Sequence, residues 1–246
     1  MRLYNRLFPR RKGARLWILL DPDSQSPAIL KAVAAEAAGR GADALLVGGS
    51  FLVRDGFDAV VKFLKNATSL PLIIFPGGSG QLSRYADGIL FTSLLSGRNP
   101  QYLIGEQVKA APLIRQLQLE AISTAYLLID SGRATAAEFV SDTRPIPRDK
   151  PKLAVAHALA AELFGMQAVY LEAGSGGAQP VPREMIAAVA KNVSLPVIVG
   201  GGIVEPAVAR EAARAGARVI VIGTAVEKHG VDIINRMAAA IKRTPG

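Results

Sequence analysis

The 246 residues suit one large domain or two small ones, and half of them are hydrophobic, enough for a full core. Cysteine is absent, which excludes disulfides and thiolate metal sites and is compatible with a reducing cytoplasm. The formal net charge of +9 suits phosphorylated substrates or peripheral contact with an anionic membrane, whereas no aromatic interleaving or nucleic-acid motif supports RNA or DNA.

In chain order, Arg2, Arg6, Arg10, Arg11, Lys12 and Arg15 open the sequence and read as a solvated basic arm over residues 1–15. The apolar stretch that follows, Leu16–Leu20, is too short for a secretory core and ends at two acids, so it reads as a buried first strand. No apolar run approaches the roughly 18–20 residues of a membrane span. A helix over Pro27–Arg40 precedes a second strand at Ala44–Val47, and a helix over Asp55–Asn66 precedes a third at Leu72–Phe75. The fourth strand is Gly88–Phe91, followed by a helix over Gln101–Gln116 and a fifth strand at Ile122–Ile129. A proline-rich segment leads to a helix over Lys152–Phe164. The remaining strands are Ala168–Leu171, Pro196–Val199 and Val219–Ile222, separated by helices over Arg183–Asn192 and Pro206–Ala215 and closed by Val231–Lys242.

Continuous apolar strands alternating with helices mean a parallel sheet covered on both faces. Eight such units in one chain of this length predict a single (β/α)8 TIM barrel over residues 1–246. One unit is irregular: the link between strands three and four is short and carries Pro76, Gly77, Gly78 and Gly80, which predicts a loop in place of the third helix. The run from Leu70 to Gly78 also echoes Leu195 to Gly202, as half-barrel symmetry or simple likeness of barrel units would produce.

Barrel enzymes work at the carboxyl ends of their strands. Glycines at Gly200-Gly201-Gly202 and Gly223-Thr224, after strands seven and eight, are placed to cup a phosphate with backbone N–H groups; tight turns alone are the simpler explanation of each cluster. Asp21 ends strand one, where an acid is a general base, a hard-metal ligand or a helix cap; Ser50, after strand two, offers a further oxygen. Tyr170 and Glu172 are two apart and face one side of strand six, able to grip hydroxyls, with Glu172 able to accept a proton, or to sit in a structural ion pair. Phe75, Phe91 and Leu94 near the mouth are core or the wall of an apolar channel. His157 and His229 lie off the mouth, so Ser–His or Cys–His chemistry is not expected.

The set LLDPD, LLVGGS, FTSLLSGRNPQYLIGEQ, YLEAGSGG, VGGGI and IGTA, in this order from about Leu16 to His229, resembles the geranylgeranylglyceryl phosphate synthase family of PcrB-like prenyltransferases. The resemblance implies Mg²⁺-dependent transfer of a geranylgeranyl group from geranylgeranyl diphosphate to sn-glycerol 1-phosphate, giving an ether-lipid precursor. By motif match it implies that Asp21 and Ser50 bind Mg²⁺. It assigns glycerol phosphate to Tyr170, Leu171, Glu172, Ala173, Gly174, Ser175, Gly176, Gly201, Gly202, Gly223 and Thr224. Of these, Glu172 and Tyr170 would be catalytic, with Glu172 orienting the hydroxyl and taking its proton. It further implies a homo-oligomer, a dimer or a hexamer; the absence of cysteine leaves a cytoplasmic location as the expectation. Two positions depart from the common pattern. Leu19 stands where many members carry a basic residue, as in the family's second group, and Ser24 stands where many carry Lys or Arg, which removes a charge near the expected diphosphate. The competing expectations are a sugar-phosphate isomerase using Asp21 and Asp130 as an acid–base pair, and a barrel that binds phosphorylated ligands or membrane without turnover.

Overall fold

In the computed structural model, which describes residues 2–9, 13–53 and 55–242, eight parallel strands close into a ring in sequence order. They are β1 (Arg15–Leu20), β2 (Ala44–Val47), β3 (Leu72–Ile74), β4 (Gly88–Leu94), β5 (Glu120–Leu128), β6 (Ala168–Glu172), β7 (Val197–Gly200) and β8 (Val219–Ile222). β8 closes on β1 through Leu16 opposite Ile220 and Ile18 opposite Ile222. β2, β3, β6, β7 and β8 are buried along their whole length, which is why they read as unbroken aliphatic runs instead of alternating ones. Alternation returns in space: Leu45, Val47, Leu171 and Val199 pack toward the helices, while Leu46, Ile73, Tyr170 and Ile198 fill the barrel interior with Trp17.

The helices are α1 (Leu3–Leu7), α2 (Pro27–Glu36), α3 (Phe57–Ala67), α4 (Glu106–Gln116), α5 (Ala136–Ser141), α6 (Pro151–Leu163), α7 (Arg183–Asn192), α8 (Pro206–Arg214), α9 (Thr224–His229) and α10 (Asp232–Lys242). α2 stops four residues before the expected Arg40, in a segment that carries Gly39 and a left-handed Gly41. α4 is entered through a π-helical turn over Gln101–Gly105, a form that concentrates at functional sites. α5 and α9 are short helices at the mouth that the apolar periodicity did not signal.

α1 overturns part of the expected basic arm. Its Leu3 and Leu7 are buried in the inner core with Trp17, and both oxygens of Glu120 accept its first N–H groups, from Leu3 and Tyr4, at 2.8 Å each. The segment plugs the barrel floor and leaves Arg2 and Arg6 exposed; Arg10, Arg11 and Lys12 lie outside the described residues. None of the described helices is long and apolar enough to cross a membrane.

Residues 75–87 contain no helix, as expected. Between α3 and α4 the sheet therefore lacks its outer cover, and this gap shapes the site.

Candidate active site at the barrel mouth

One cavity of about 340 Å³ opens at the carboxyl ends of the strands, and residues from the ends of β1 to β6 and β8 line it. It has two parts. A polar part is walled by Asp21, Ser50, Glu172, Ser175, Gly223 and Thr224. An apolar arm runs past Leu82, Ile89, Phe91, Ala110 and Ile114, residues of the layer between sheet and helices. The arm occupies the gap left by the missing helix, with the loop after β3 and α4 as its sides. Of the three apolar residues expected at the mouth, Phe75, Phe91 and Leu94, all line the cavity.

Glu172 sits on the cavity wall at the end of β6 and is 5% exposed. Its side chain shares the barrel interior with Tyr170, as the two-residue period requires, whereas Leu171 and Ala173 face the helix layer. Leu171 and Ala173 can thus reach a mouth ligand only through their backbone. The Gly174 N–H donates to Glu172 Oε1 at 2.6 Å. No cation pairs with Glu172 among the described residues, against the ion-pair expectation. Burial raises its carboxyl to about 7, against the lesser, opposing pull of the Gly174 N–H and of the Tyr170 hydroxyl beside it. The Tyr170 hydroxyl lies close enough to favour the carboxylate but falls short of hydrogen-bond geometry, and it has no other hydrogen-bond partner among the described residues. Tyr170 is fully buried beneath Glu172, stacked on Phe75 with centroids 5.0 Å apart and tilted against Tyr126 at 5.6 Å. It supports the acid from below; Tyr126, which does line the cavity, was not singled out from the sequence.

The glycine loops wrap this acid. Gly174, Gly176, Gly201 and Gly202 all hold left-handed backbone conformations, and Ser175 and Gly176 are exposed. Gly201 must be glycine: at φ +79°, a β-carbon would lie 2.2 Å from Glu172 Oε1 and 2.6 Å from the Gly174 nitrogen. Gly223 precedes the first turn of α9, Thr224 begins it, and both line the polar part. The loops after β6 and β7 thus meet at Glu172, and Ser175, Gly223 and Thr224 reach the cavity wall.

Across the mouth, Asp21 Oδ1 accepts the Asp23 N–H at 2.9 Å, and burial raises its carboxyl above the usual range. Ser24 Oγ bridges the Asp21 carbonyl at 3.3 Å and Glu227 Oε1 at 3.1 Å, tying the β1 loop to α9. Asp21 is thus not a helix cap; Ser26 caps α2. Asp21 and Ser50 share the cavity wall. One hard carboxylate with a neighbouring hydroxyl fits Mg²⁺, which takes a few protein oxygens and completes its shell from water and phosphate oxygens. No group of three His, Cys, Asp or Glu side chains forms a protein-only metal cage among the described residues. No lysine or arginine lines the cavity among them either.

Asp130 is absent from the cavity wall; its carboxylate accepts the Gly132 N–H at 2.8 Å. His157 Nδ1 bonds the Leu153 carbonyl on the surface of α6, and His229 is exposed at the end of α9. Sequence reasoning missed Glu106, Gln107, Tyr126 and Glu227, which line the cavity, and Gln81, which lies behind it. A carboxylate in the first turn of a long helix was the available signal for Glu106. Its carboxyl is held down to about 2 by the Ser79 N–H and by Lys109.

Comparison with known proteins agrees with this geometry. The model of the PcrB family matches residues 10–244. The geranylgeranylglyceryl phosphate synthase of Chitinophaga pinensis is 41% identical over 242 residues, covering 98% of this chain and 96% of its own. That of Thermococcus gammatolerans is 49% identical over 215 residues, covering 87% and 84%. The crystal structure of (S)-3-O-geranylgeranylglyceryl phosphate synthase from Thermoplasma acidophilum, in complex with substrate sn-glycerol-1-phosphate, superposes with a TM-score of 0.94 at 37% identity, covering 99% of this chain and all of that one.

Proposed function

This chain belongs to the PcrB family, and on that premise we propose that it is a geranylgeranylglyceryl phosphate synthase, joining a geranylgeranyl group from its diphosphate to sn-glycerol 1-phosphate. The observation that carries the reading is the two-part cavity: a buried acid inside glycine loops on one side, an apolar arm on the other.

Glycerol phosphate would place its phosphate on the N–H groups of Gly201, Gly202, Gly223 and Thr224 and of Ser175 and Gly176, and its free hydroxyl at Glu172. The prenyl chain would lie in the apolar arm, with its diphosphate toward Asp21 and Ser50. The glycerol oxygen bonds to the allylic carbon, the bond from that carbon to diphosphate breaks, and Glu172 takes the hydroxyl proton. A carboxyl with its pKa near 7 suits that transfer at neutral pH. Asp21 and Ser50 would hold Mg²⁺, whose charge offsets that of the departing diphosphate. Tyr170 keeps the carboxylate in place from beneath. Ser24 and Leu19, where many members carry basic residues, would add no charge of their own to that neutralisation.

The exposed apolar residues Leu153, Leu163 and Phe164 on and just after α6, and Ile104 and Val108 on the π-helical turn and α4, support self-association. The isomerase reading has lost its second acid, since Asp130 does not reach the cavity.

The test is product formation from labelled sn-glycerol 1-phosphate and geranylgeranyl diphosphate, with and without Mg²⁺. A prenylated glycerol phosphate that depends on Mg²⁺ is expected. No prenylated product under any condition would sink the reading.

A further inference from the structure

Gln81 sits in the loop that replaces the missing helix, is 8% exposed, and does not line the cavity. Its amide instead reads the backbone of one residue in the next loop. Nε2 donates to the Gly49 carbonyl at 2.8 Å, and Oε1 accepts the Gly49 N–H at 3.3 Å. The two partners fix which end of the amide is which, because a carbonyl needs a donor and an N–H needs an acceptor. Gly49 in turn packs against the Asp21 carboxylate. A β-carbon on it would stand 3.2 Å from both oxygens of Asp21. The contact runs from Gln81 through Gly49 to Asp21, with Ser50 as the next residue along.

The loop that carries Gln81 is itself braced. Ser79 N–H donates to Glu106 Oε2 at 2.7 Å, fastening the loop to α4. A β-carbon on Gly77 would fall 2.3 Å from the Gly49 carbonyl oxygen, so the β2 and β3 loops touch backbone to backbone. The segment that replaces a helix here has two duties. Its front, through Phe75, Pro76 and Leu82, walls the cavity; its back grips Gly49.

We propose that Gln81 is a positioning residue for the metal-and-diphosphate side of the mouth: it sets the Gly49–Ser50 backbone so that Asp21 and Ser50 present their oxygens together. The inference rests on the prenyltransferase reading above. It separates the two halves of the site, since Gln81 touches nothing in the glycine cup around Glu172.

The test compares Gln81→Met, which keeps the volume and removes both hydrogen bonds, with Gly49→Ala, which crowds Asp21 directly. Two binding readouts are taken by calorimetry: a non-reactive geranylgeranyl thiolodiphosphate with and without Mg²⁺, and sn-glycerol 1-phosphate alone. Steady-state kinetics supply the half-saturating Mg²⁺. Residues that orient metal ligands typically matter about 10–100-fold. Gln81→Met is expected to raise half-saturating Mg²⁺ and weaken Mg²⁺-dependent analogue binding by at least about tenfold. Its sn-glycerol 1-phosphate affinity should stay within about twofold of wild type. Gly49→Ala should reproduce the pattern, and the double variant should fall well short of the product of the single effects, as groups acting through one contact do. Should Gln81→Met fail to fold, Gln81→Glu takes its place, since it keeps an acceptor for the Gly49 N–H and loses the donor to the Gly49 carbonyl, and the same pattern is expected of it. The proposal is overturned if metal-dependent binding stays at the wild-type level in the folded variants, if sn-glycerol 1-phosphate binding falls equally, or if the two effects multiply. Failure of the parent reading looks different: wild type itself would then bind no prenyl analogue and make no product, and this inference would fall with it.

Discussion

The α-carbon of Gly201 faces Glu172 so closely that a single methyl group there would stand 2.2 Å from the carboxylate oxygen Oε1. That oxygen is the one that accepts the Gly174 N–H. The acid at the end of β6 and the turn after β7 are therefore one unit, and neither can move without the other.

Gly201→Ala tests the unit. The methyl group meets the carboxylate and the Gly174 nitrogen, and the residue sits at φ +79°, where alanine is strained. A cost of more than about 1 kcal/mol in folding stability is expected from the backbone alone. Affinity for sn-glycerol 1-phosphate should fall more than tenfold, because the displaced loop belongs to the proposed phosphate cup. Calorimetric titration checks the affinity and thermal unfolding the stability; an alanine variant that binds normally would show that the cup lies elsewhere.

Glu172 carries a pH dependence with a definite sign. Its folded carboxyl titrates near 7 against an ordinary value of 4.5. The folded state thus binds the proton more tightly than the unfolded one. The associated stability is fully present below about pH 4.5 and is lost as pH rises through 7, on the order of 3 kcal/mol in all. Glu172→Gln keeps a carbonyl oxygen for the Gly174 N–H and never ionises. Its stability relative to wild type should therefore rise between pH 5 and pH 8, read from melting temperatures. Its activity should move the other way. Wild-type kcat/KM should climb with pH through about 7 as the base is freed, and the glutamine variant should lose that limb together with at least about a hundredfold in rate. A relative stability that stays flat across this range would remove Glu172 as the titrating group.

The parts of this site that were legible in the sequence are those set by local rules. Val219–Ile222 and Arg183–Asn192 match the observed elements end to end, because aliphatic runs and polar helix borders mark their limits. Tyr170 and Glu172 share a face because strands repeat every two residues. The missing helix was readable from three glycines and a proline in a link too short to hold one. What stayed hidden depends on groups that meet only after closure of the barrel. Gln81 pairs with a backbone on a neighbouring strand loop, and nothing in Ser79-Gly80-Gln81-Leu82 announces it. Glu227 meets Ser24 across 203 positions of sequence. α5 and α9 were missed because helices this short are defined by their ends, such as the Thr135 hydroxyl that accepts the Glu138 N–H, and not by an apolar stripe. Tyr170 was placed on the correct face but one layer too high, since burial depth along a barrel strand has no local signature.

Ala110 offers a test of the apolar arm. It is 7% exposed, lies on α4, and shares the arm with Leu82, Ile89, Phe91 and Ile114 in the space where a helix after β3 would have packed. Ala110→Phe puts a ring into that space without touching Asp21, Glu172 or the glycine loops. Each buried methylene contributes about 0.8 kcal/mol, so a chain cut off from the far end of the arm loses several kcal/mol of binding. The variant should discriminate against geranylgeranyl diphosphate in favour of farnesyl or geranyl diphosphate by at least tenfold in kcat/KM, which is the scale a filled hydrophobic pocket commands. The change should appear in the prenyl substrate's KM, while affinity for sn-glycerol 1-phosphate and the pH limb from Glu172 stay as in wild type. Equal loss with all three chain lengths would mean that the ring has disturbed the mouth itself; unchanged preference would mean that the prenyl chain leaves the barrel by another route and that the gap after β3 is not its channel.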